Sequence, residues 1–225
     1  MLSVFAKSLK DFFDIKILLV SLLPITGAAV LWAAVFYVFS SQIDSALSSL
    51  LGTVPYLDND WVRGSIELVG GVFIYYQLLI VTAVMIVGII ADWVVDRVNA
   101  KGYYLEKRGF GSLFGSILIS LKSNVLFMVL FVLFLPLMFV PLINVFVNLI
   151  FWVILIKTPL FYDSLAMYAT REEYRILKKS NRWSTFTIAL ASASLFLIPV
   201  VGVFIYVLQL LFFTNYNLQR LAKMR

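Results

Sequence analysis

Basic residues spaced along one helical segment are the side chains of this sequence best suited to act on a ligand. Four of them follow one another at i, i+4, i+7 and i+11, which puts them on one face of a helix: Arg171, Arg175, Lys178 and Arg182. A stripe of like charges raises the local concentration of anions. Lys7, Lys10 and Lys16 near the N-terminus are further candidates for attracting an anion. The alternative is that these cations only set the orientation of the chain in a membrane.

Four polar side chains lie inside apolar segments. Asn144 and Asn148 are one helical turn apart, and Ser184 and Thr187 give a later segment a small polar face. Side chains of this kind can line a polar path for an ion. They can equally hold neighbouring helices together in a membrane, and both interpretations stay open at this point.

The residue types argue against catalysis. The chain has no Cys and no His, which excludes thiol nucleophiles, Ser-His-Asp relays and the common zinc sites. Asp163, Glu172 and Glu173 are interpreted as surface residues, so no acid–base pair is evident. No phosphate-binding Gly-x-x-x-x-Gly-Lys loop is present either. We therefore predict a protein that is not an enzyme and that uses no cofactor and no metal.

Composition places the chain in a membrane. Of its residues 62% are hydrophobic and only 13% are charged, far outside the usage of soluble proteins. Its 225 residues predict one membrane domain, with the lipid bilayer as its first partner. The net charge of +6 could suggest nucleic acid, but excess Lys and Arg in a membrane protein mark the cytoplasmic face. We predict no nucleic-acid partner.

Two uncharged stretches are each interrupted by turn residues. Residues 125–156 and 183–214 both contain 32 residues without a charge, whereas about 20 apolar residues suffice to cross a bilayer. Because proline disfavours a helix interior, each stretch predicts two short helices joined by a turn. The predicted turn residues are Pro136 and Pro141 in the first stretch and Pro199 and Gly202 in the second.

The predicted fold is an all-α integral membrane protein with two long transmembrane helices, two proline-tipped helical hairpins and interfacial amphipathic helices. Residues 99–123 are assigned to the interface because apolar residues at helical spacing face a row of glycines and serines. The segments, in order, are an interfacial helix over 1–16, a span over 17–39, a periplasmic loop over 40–67, a span over 68–95, an interfacial helix over 99–123, a hairpin over 124–157, a cytoplasmic helical region over 160–182, a hairpin over 183–216 and a tail over 217–225.

The charges of these segments predict the topology. Of the 18 Lys and Arg residues all but Arg63 fall on the side of the N-terminus, which predicts that both termini lie in the cytoplasm. Each hairpin limb of 15 or 16 residues reaches roughly 22–24 Å, less than the core of about 30 Å. A hairpin that stops inside the membrane must be covered, so we expect a homo-oligomer. Six full spans with tight outer turns remain the alternative.

Three regions carry a resemblance to a known family. They are Phe-Val-Pro-Leu-Ile-Asn-Val-Phe over 139–146 with Phe-Trp soon after it, Phe-Tyr-Asp over 161–163 before a basic stretch, and Ser-Leu-Phe-Leu-Ile-Pro-Val-Val-Gly-Val-Phe over 194–204. With the order of spans and hairpins, these regions resemble the CysZ-type sulfate permeases and the related etoposide-induced protein family. The resemblance implies an oligomeric inner-membrane protein with partially inserted hairpins. It also implies sulfate uptake for cysteine synthesis without ATP hydrolysis.

The chain departs from that family before its first proline. The sulfate permeases have an adjacent Arg pair there, whereas Leu18 and Leu19 precede Pro24 here and the nearest base is Lys16. This weakens the assignment to sulfate, since a dianion needs fixed donors or charges near its path. The predicted function is an inner-membrane channel or permease for a small anion, sulfate in the first place. The alternative is a membrane scaffold or assembly factor of the same fold without transport activity.

Overall fold

A computed structural model describes residues 2–43, 45, 49, 60–134, 137, 141–197 and 205–225. Within these ranges the chain is almost entirely helical and contains no strand, which confirms the predicted all-α class. The helices are α1 (Leu2–Phe12), α2 (Ile15–Val20), α3 (Leu23–Val38), α4 (Asp60–Gly102), α5 (Leu113–Leu133), α6 (Pro141–Asp163), α7 (Arg171–Ser180), α8 (Arg182–Ala193), a 3-10 turn (Ser194–Leu197) and α9 (Ile205–Met224).

Four segments among the described residues are long and apolar enough to cross a membrane. They are Ile15–Val38, Leu78–Gly102, Leu113–Leu133 and Ile143–Asp163. The protein is therefore a multi-pass membrane protein. The first of these segments is interrupted between α2 and α3, close to Pro24, which cannot continue the hydrogen bonding of a helix interior.

The chain divides into two compact units, one formed by Met1–Pro24 with Val84–Arg225 and the other by Ile25–Ala83. In the smaller unit the indole of Trp32 donates a hydrogen bond of 2.8 Å to the hydroxyl of Thr82. The ring of Phe36 also meets the ring of Tyr75 edge to face, with centroids 5.5 Å apart. These contacts join the two helical segments of that unit.

The first predicted hairpin is present as α5 and α6, which pack against each other along their lengths. Phe127 lies fully buried between them, stacked on Phe131 and edge-on to Phe151. Pro141 is the first residue of α6, a position where the missing amide hydrogen costs no helical bond. The other predicted turn residues, Pro136, Pro199 and Gly202, lie outside the described residues.

The limbs of this hairpin are longer than the sequence suggested. The helix predicted over 99–123 is instead the end of α4, a loop and the start of α5, whose first turn is capped by the hydroxyl of Ser112. A β-carbon on Gly109 in this loop would lie 2.3 Å from the carbonyl oxygen of Ala166, so only glycine fits at this position without a clash. From Leu113 the helix continues unbroken for 21 residues, about 31 Å, which is enough to cross the hydrocarbon core.

The last helix, α9, forms the centre of the larger unit. All its residues from Ile205 to Leu218 are buried, and it packs against α1, α6, α7 and α8. It also continues through Met224, so that the predicted tail over 217–225 is mostly helical. Since the predicted second hairpin ends in this helix, its second limb is enclosed by protein rather than by lipid.

Helix α1, predicted to lie on the membrane surface, packs one face against α9. The hydroxyl of Ser8 donates to the backbone carbonyl of Leu211 at 3.1 Å, and the amide of Asn215 donates to the carboxylate of Asp11 at 2.9 Å. Asp11 is therefore buried, on the face of α1 that packs against α9. The opposite face of α1 exposes Leu2 and other apolar side chains.

Two carboxylates that the sequence assigned to the surface have partners within the structure. Asp163 is only 2% exposed and accepts a hydrogen bond of 2.6 Å from the hydroxyl of Ser116. Gly88 lies beside this pair, where a β-carbon would come within 2.7 Å of the Ser116 hydroxyl. Glu173 pairs with Arg225 at 2.9 Å. Both residues connect elements that lie far apart in sequence.

The pairing of Glu173 predicts an acid-dependent loss of stability. Its hydrogen bonds with Arg225 are the main cause that lowers the pKa of this carboxyl from 4.5 to about 2. The ionised group therefore stabilises the fold above about pH 4.5, and its contribution is lost as the pH falls from 4.5 towards 2. We expect Glu173→Gln to lower the melting temperature at pH 7 and to have little effect near pH 2.

Glu172 offers a matched control for this experiment, because it is the exposed neighbour of Glu173 in the first turn of the same helix. The melting temperature of Glu172→Gln should follow that of the wild type across this pH range. A constant difference between wild type and Glu173→Gln from pH 7 to pH 2 would contradict the role of the Arg225 pair.

Candidate anion site

Lys157 brings a positive charge to the end of a spanning helix. It is the first charged residue after the uncharged stretch 125–156 and lies six residues before the end of α6. Its side chain is half-buried, and its ammonium group lies 5.5 Å from the ring centroid of Phe186 on α8. The chain thus places a cation beside the spanning segments rather than free in water.

Helix α7 is fixed against this end of α6 by a cap and by aromatic packing. Thr170 and Glu173 form a capping box, with bonds of 3.2 and 2.7 Å. The ring of Tyr174 then packs against Phe110 and Phe161 at centroid distances of 5.1 and 5.4 Å. This anchoring positions the residues that follow Tyr174 along the helix.

Three cations meet in one small pocket as a result. We call it the cationic pocket; its volume is about 170 Å³, and it is lined by Lys157, Thr158, Phe161, Tyr174, Lys178, Arg182 and Thr185. Within the part of the chain that the structure describes, none of its three cations forms an ion pair with a carboxylate. The pocket therefore offers positive charge to an external ligand.

Hydroxyl groups complete the donors of the cationic pocket. Burial is the main cause that raises the pKa of Tyr174 to about 12, with smaller contributions from Tyr162 and Asp163, so its hydroxyl stays neutral at physiological pH. Thr158 and Thr185 line the same space, and because the hydroxyl of Thr185 already donates to the backbone carbonyl of Asn181 at 2.9 Å, Thr158 supplies the second hydroxyl donor. Ammonium, guanidinium and neutral hydroxyl donors together suit a tetrahedral oxyanion, because each of its oxygens can accept several hydrogen bonds.

A second and larger space adjoins the cationic pocket. This lateral groove has a volume of about 440 Å³ and shares Lys157, Thr158 and Arg182 with the pocket. Its remaining lining residues come from α5, α6 and α8 and are mainly apolar: Ser123, Leu126, Val153, Ile154, Trp183 and Phe186. Lys157 and Arg182 thus lie at the junction between a polar pocket and an apolar groove.

The predicted basic residues are only partly brought together. All three arginines of the predicted stripe are exposed, but Arg182 lines both spaces, whereas Arg171 and Arg175 line neither. Lys16 is exposed on α2, where its backbone amide donates to the capping carboxylate of Asp14. Lys7 lies over the ring of Tyr103, at 3.7 Å from its centroid.

The predicted polar residues do not line the pocket. The side chain of Asn148 donates to the side-chain oxygen of Asn144 and to its backbone carbonyl. Both asparagines are more than two helical turns from Lys157 on the same helix. Ser184 is half-buried on α8, and Thr187 donates to the carbonyl of Trp183 at 3.0 Å. None of the four lines the cationic pocket.

Sequence reasoning did not select Lys157 or the hydroxyl donors of the pocket. A signal for Lys157 exists, because a lysine that directly ends a long apolar stretch marks a membrane boundary. No comparable signal marks Tyr174, Thr158 or Thr185, whose role depends on how α7 and α8 pack against α6.

Comparisons with known proteins bear on the identity of the chain. Neither the curated proteins nor the solved structures include a match to it. A protein-family model, described as sulfate transporter CysZ/etoposide-induced protein 2.4, matches residues 4–206, which is most of the chain. This match confirms the resemblance drawn from the sequence. The chain belongs to the sulfate transporter CysZ/etoposide-induced protein 2.4 family.

Proposed function

We propose that this protein is a channel or permease for a small anion, sulfate in the first place, that works without ATP hydrolysis. The observation that carries the proposal is the cationic pocket, where Lys157, Lys178 and Arg182 surround one space at the end of a spanning helix. Membership of a family described as sulfate transporters supports the same substrate class. The pocket supplies the positive charge that an adjacent Arg pair provides in the sulfate permeases.

In this proposal the pocket concentrates and partly desolvates the anion. A dianion attracted by three cations reaches the pocket faster than by neutral diffusion, and low-dielectric walls such as Phe161 focus the field. The hydroxyls of Tyr174 and Thr158 replace part of the hydration shell. Binding by long, flexible side chains at a half-open site also lets the anion leave, as conduction requires.

Topology, location and assembly are part of the same proposal. We infer a bacterial inner-membrane protein with both termini in the cytoplasm, because the Lys and Arg residues other than Arg63 fall on the side of the N-terminus. The pocket would then open towards the cytoplasm. We further propose a homo-oligomer, since α6 exposes apolar residues such as Phe146 and Ile150 that a second copy could cover.

Cysteine labelling tests the topology. The chain has no native Cys, so single cysteines at Ser49 and Ser180 give unambiguous signals. An impermeant maleimide added outside intact cells is expected to label Ser49→Cys and to leave Ser180→Cys unlabelled. After the cells are opened, both should react. Labelling of both variants in intact cells would contradict the proposed orientation.

Anion flux into liposomes tests the transport itself. Purified protein in proteoliposomes is expected to take up radiolabelled sulfate without ATP, well above protein-free liposomes. The scaffold alternative predicts no flux above this background under conditions in which an established sulfate permease conducts. That result would overturn the proposed function.

A further inference from the structure

The lateral groove leads from charged residues to an apolar wall. Lys157 and Arg182 lie where it meets the cationic pocket, and Leu126, Val153 and Phe186 line it further along. The helices that form the groove are α5 and α6, which have the length and composition of membrane spans, and α8. Next to the groove α5 exposes Val125 and Val129, by 55% and 58%, as expected of a surface in contact with lipid. Its apolar part therefore lies at the depth of acyl chains.

The charged end of the groove has the features of a membrane interface. Trp183, which lines the groove, is 80% exposed, and tryptophan is enriched where headgroups meet hydrocarbon. Arg182 is the first residue of α8, whose N-terminal turn has no side-chain cap, so the positive end of the helix dipole adds to the charge of Arg182 and Lys157. This end of the groove is suited to a phosphate at headgroup depth.

We propose that the lateral groove binds an anionic phospholipid, with its phosphate between Lys157 and Arg182 and an acyl chain along Leu126, Val153 and Phe186. Acyl chains gain little by leaving bulk lipid for a protein wall, because both are apolar. The preference must therefore come from the headgroup. The two cations favour a net negative headgroup, and they repel the choline cation of a zwitterionic lipid.

A lipid fits this groove better than a soluble anion does. A soluble anion would leave the apolar walls without an occupant, while the neighbouring cationic pocket already offers it three cations and two hydroxyls. A protein segment would have to compete with the lipid that surrounds the spans. The lipid proposal uses residues of its own, Leu126 and Trp183 among them, and its test is therefore separable from that of anion transport.

Lipid titration tests the proposal on the purified full-length protein. Native mass spectrometry is expected to show that dioleoyl phosphatidylglycerol binds at least tenfold more tightly than dioleoyl phosphatidylcholine. Arg182→Gln removes one charge-assisted phosphate contact and should lower the affinity for phosphatidylglycerol about tenfold. Leu126→Trp fills the groove and leaves the charges in place, and it should weaken the binding of phosphatidylglycerol by a similar factor. Leu126 is half exposed, so this variant is expected to fold.

Two control variants and one soluble probe complete the experiment. Lys179→Gln removes an exposed charge that lines neither space and should leave the affinity unchanged. Lys178→Gln should impair sulfate flux and keep the lipid bound, because Lys178 lines only the cationic pocket. Glycerol 1-phosphate should bind far more weakly than the intact lipid. Three results would overturn the proposal: equal binding of both phospholipids, the same loss of phosphatidylglycerol affinity in Lys179→Gln as in Arg182→Gln, or full affinity in Leu126→Trp.

Discussion

Sulfate flux into proteoliposomes is expected to fall about a hundredfold when Lys157, Lys178 and Arg182 are all replaced by glutamine. These three side chains supply the positive charge of the cationic pocket, and among the described residues no carboxylate neutralises them. Glutamine keeps most of the side-chain length and a hydrogen-bond donor, so the loss reports charge rather than shape. Radiolabelled sulfate uptake measures it.

Salt provides an independent readout of the same effect. Screening shortens the range of the field from about 10 Å at 0.1 M salt to about 3 Å at 1 M, so wild-type flux should decrease with ionic strength. Flux through the triple variant should depend on salt much less. A change confined to expression or folding would lower flux equally at all salt concentrations, and that result would contradict an electrostatic role.

Single substitutions identify which cations contribute to sulfate flux. Lys178→Gln should lower flux several-fold, whereas Lys179→Gln should leave it near the wild-type rate, because Lys179 is exposed and lines neither the pocket nor the groove. Leu126→Trp should impair lipid binding and leave sulfate flux largely unchanged, because it alters the groove and leaves the three charges in place. Equal flux in the wild type and the triple variant would assign these cations to membrane orientation alone.

Local sequence patterns predicted the helices but underestimated their length. The uncharged stretch 125–156 and its prolines correctly indicated two packed helices, α5 and α6. The beginning of α5 was assigned to the membrane interface because it carries serines on one face. Ser116 and Ser120 are instead buried, by 94% and 99%, in the interior of the helical unit. In a membrane bundle small polar residues mark close helix contacts as often as they mark water.

The partners of the charges could not be predicted from local patterns. Asp11 lies 204 residues from Asn215 in sequence, and nothing in the amphipathic period of α1 indicates that this carboxylate turns inward. The same holds for the cationic pocket. The spacing of Arg175, Lys178 and Arg182 predicts a stripe, but only the packing of Tyr174 against Phe161 decides which of its members reach Lys157.

Replacing Asn215 by leucine is expected to reduce the free energy of unfolding by about 3–4 kcal/mol. The buried side chain of Asn215 donates to Ser8 at 3.1 Å and to Asp11 at 2.9 Å, and it accepts from the hydroxyl of Tyr103 at 2.9 Å. It thereby joins α1, the loop after α4 and α9. Leucine leaves the buried carboxylate of Asp11 without its amide donor. Thermal unfolding in detergent measures the effect.

Asn217 on the same helix is a matched control. Both asparagines are fully buried, but the side chain of Asn217 donates to the neutral hydroxyl of Ser164 at 2.7 Å. Asn217→Leu should therefore cost about 1 kcal/mol or less, since no charge loses its partner. If the Asp11 carboxylate causes the larger loss, Asp11→Ala combined with Asn215→Leu should destabilise the protein by clearly less than the sum of the two single changes. Strict additivity, or equal losses at Asn215 and Asn217, would show that the carboxylate does not depend on this amide.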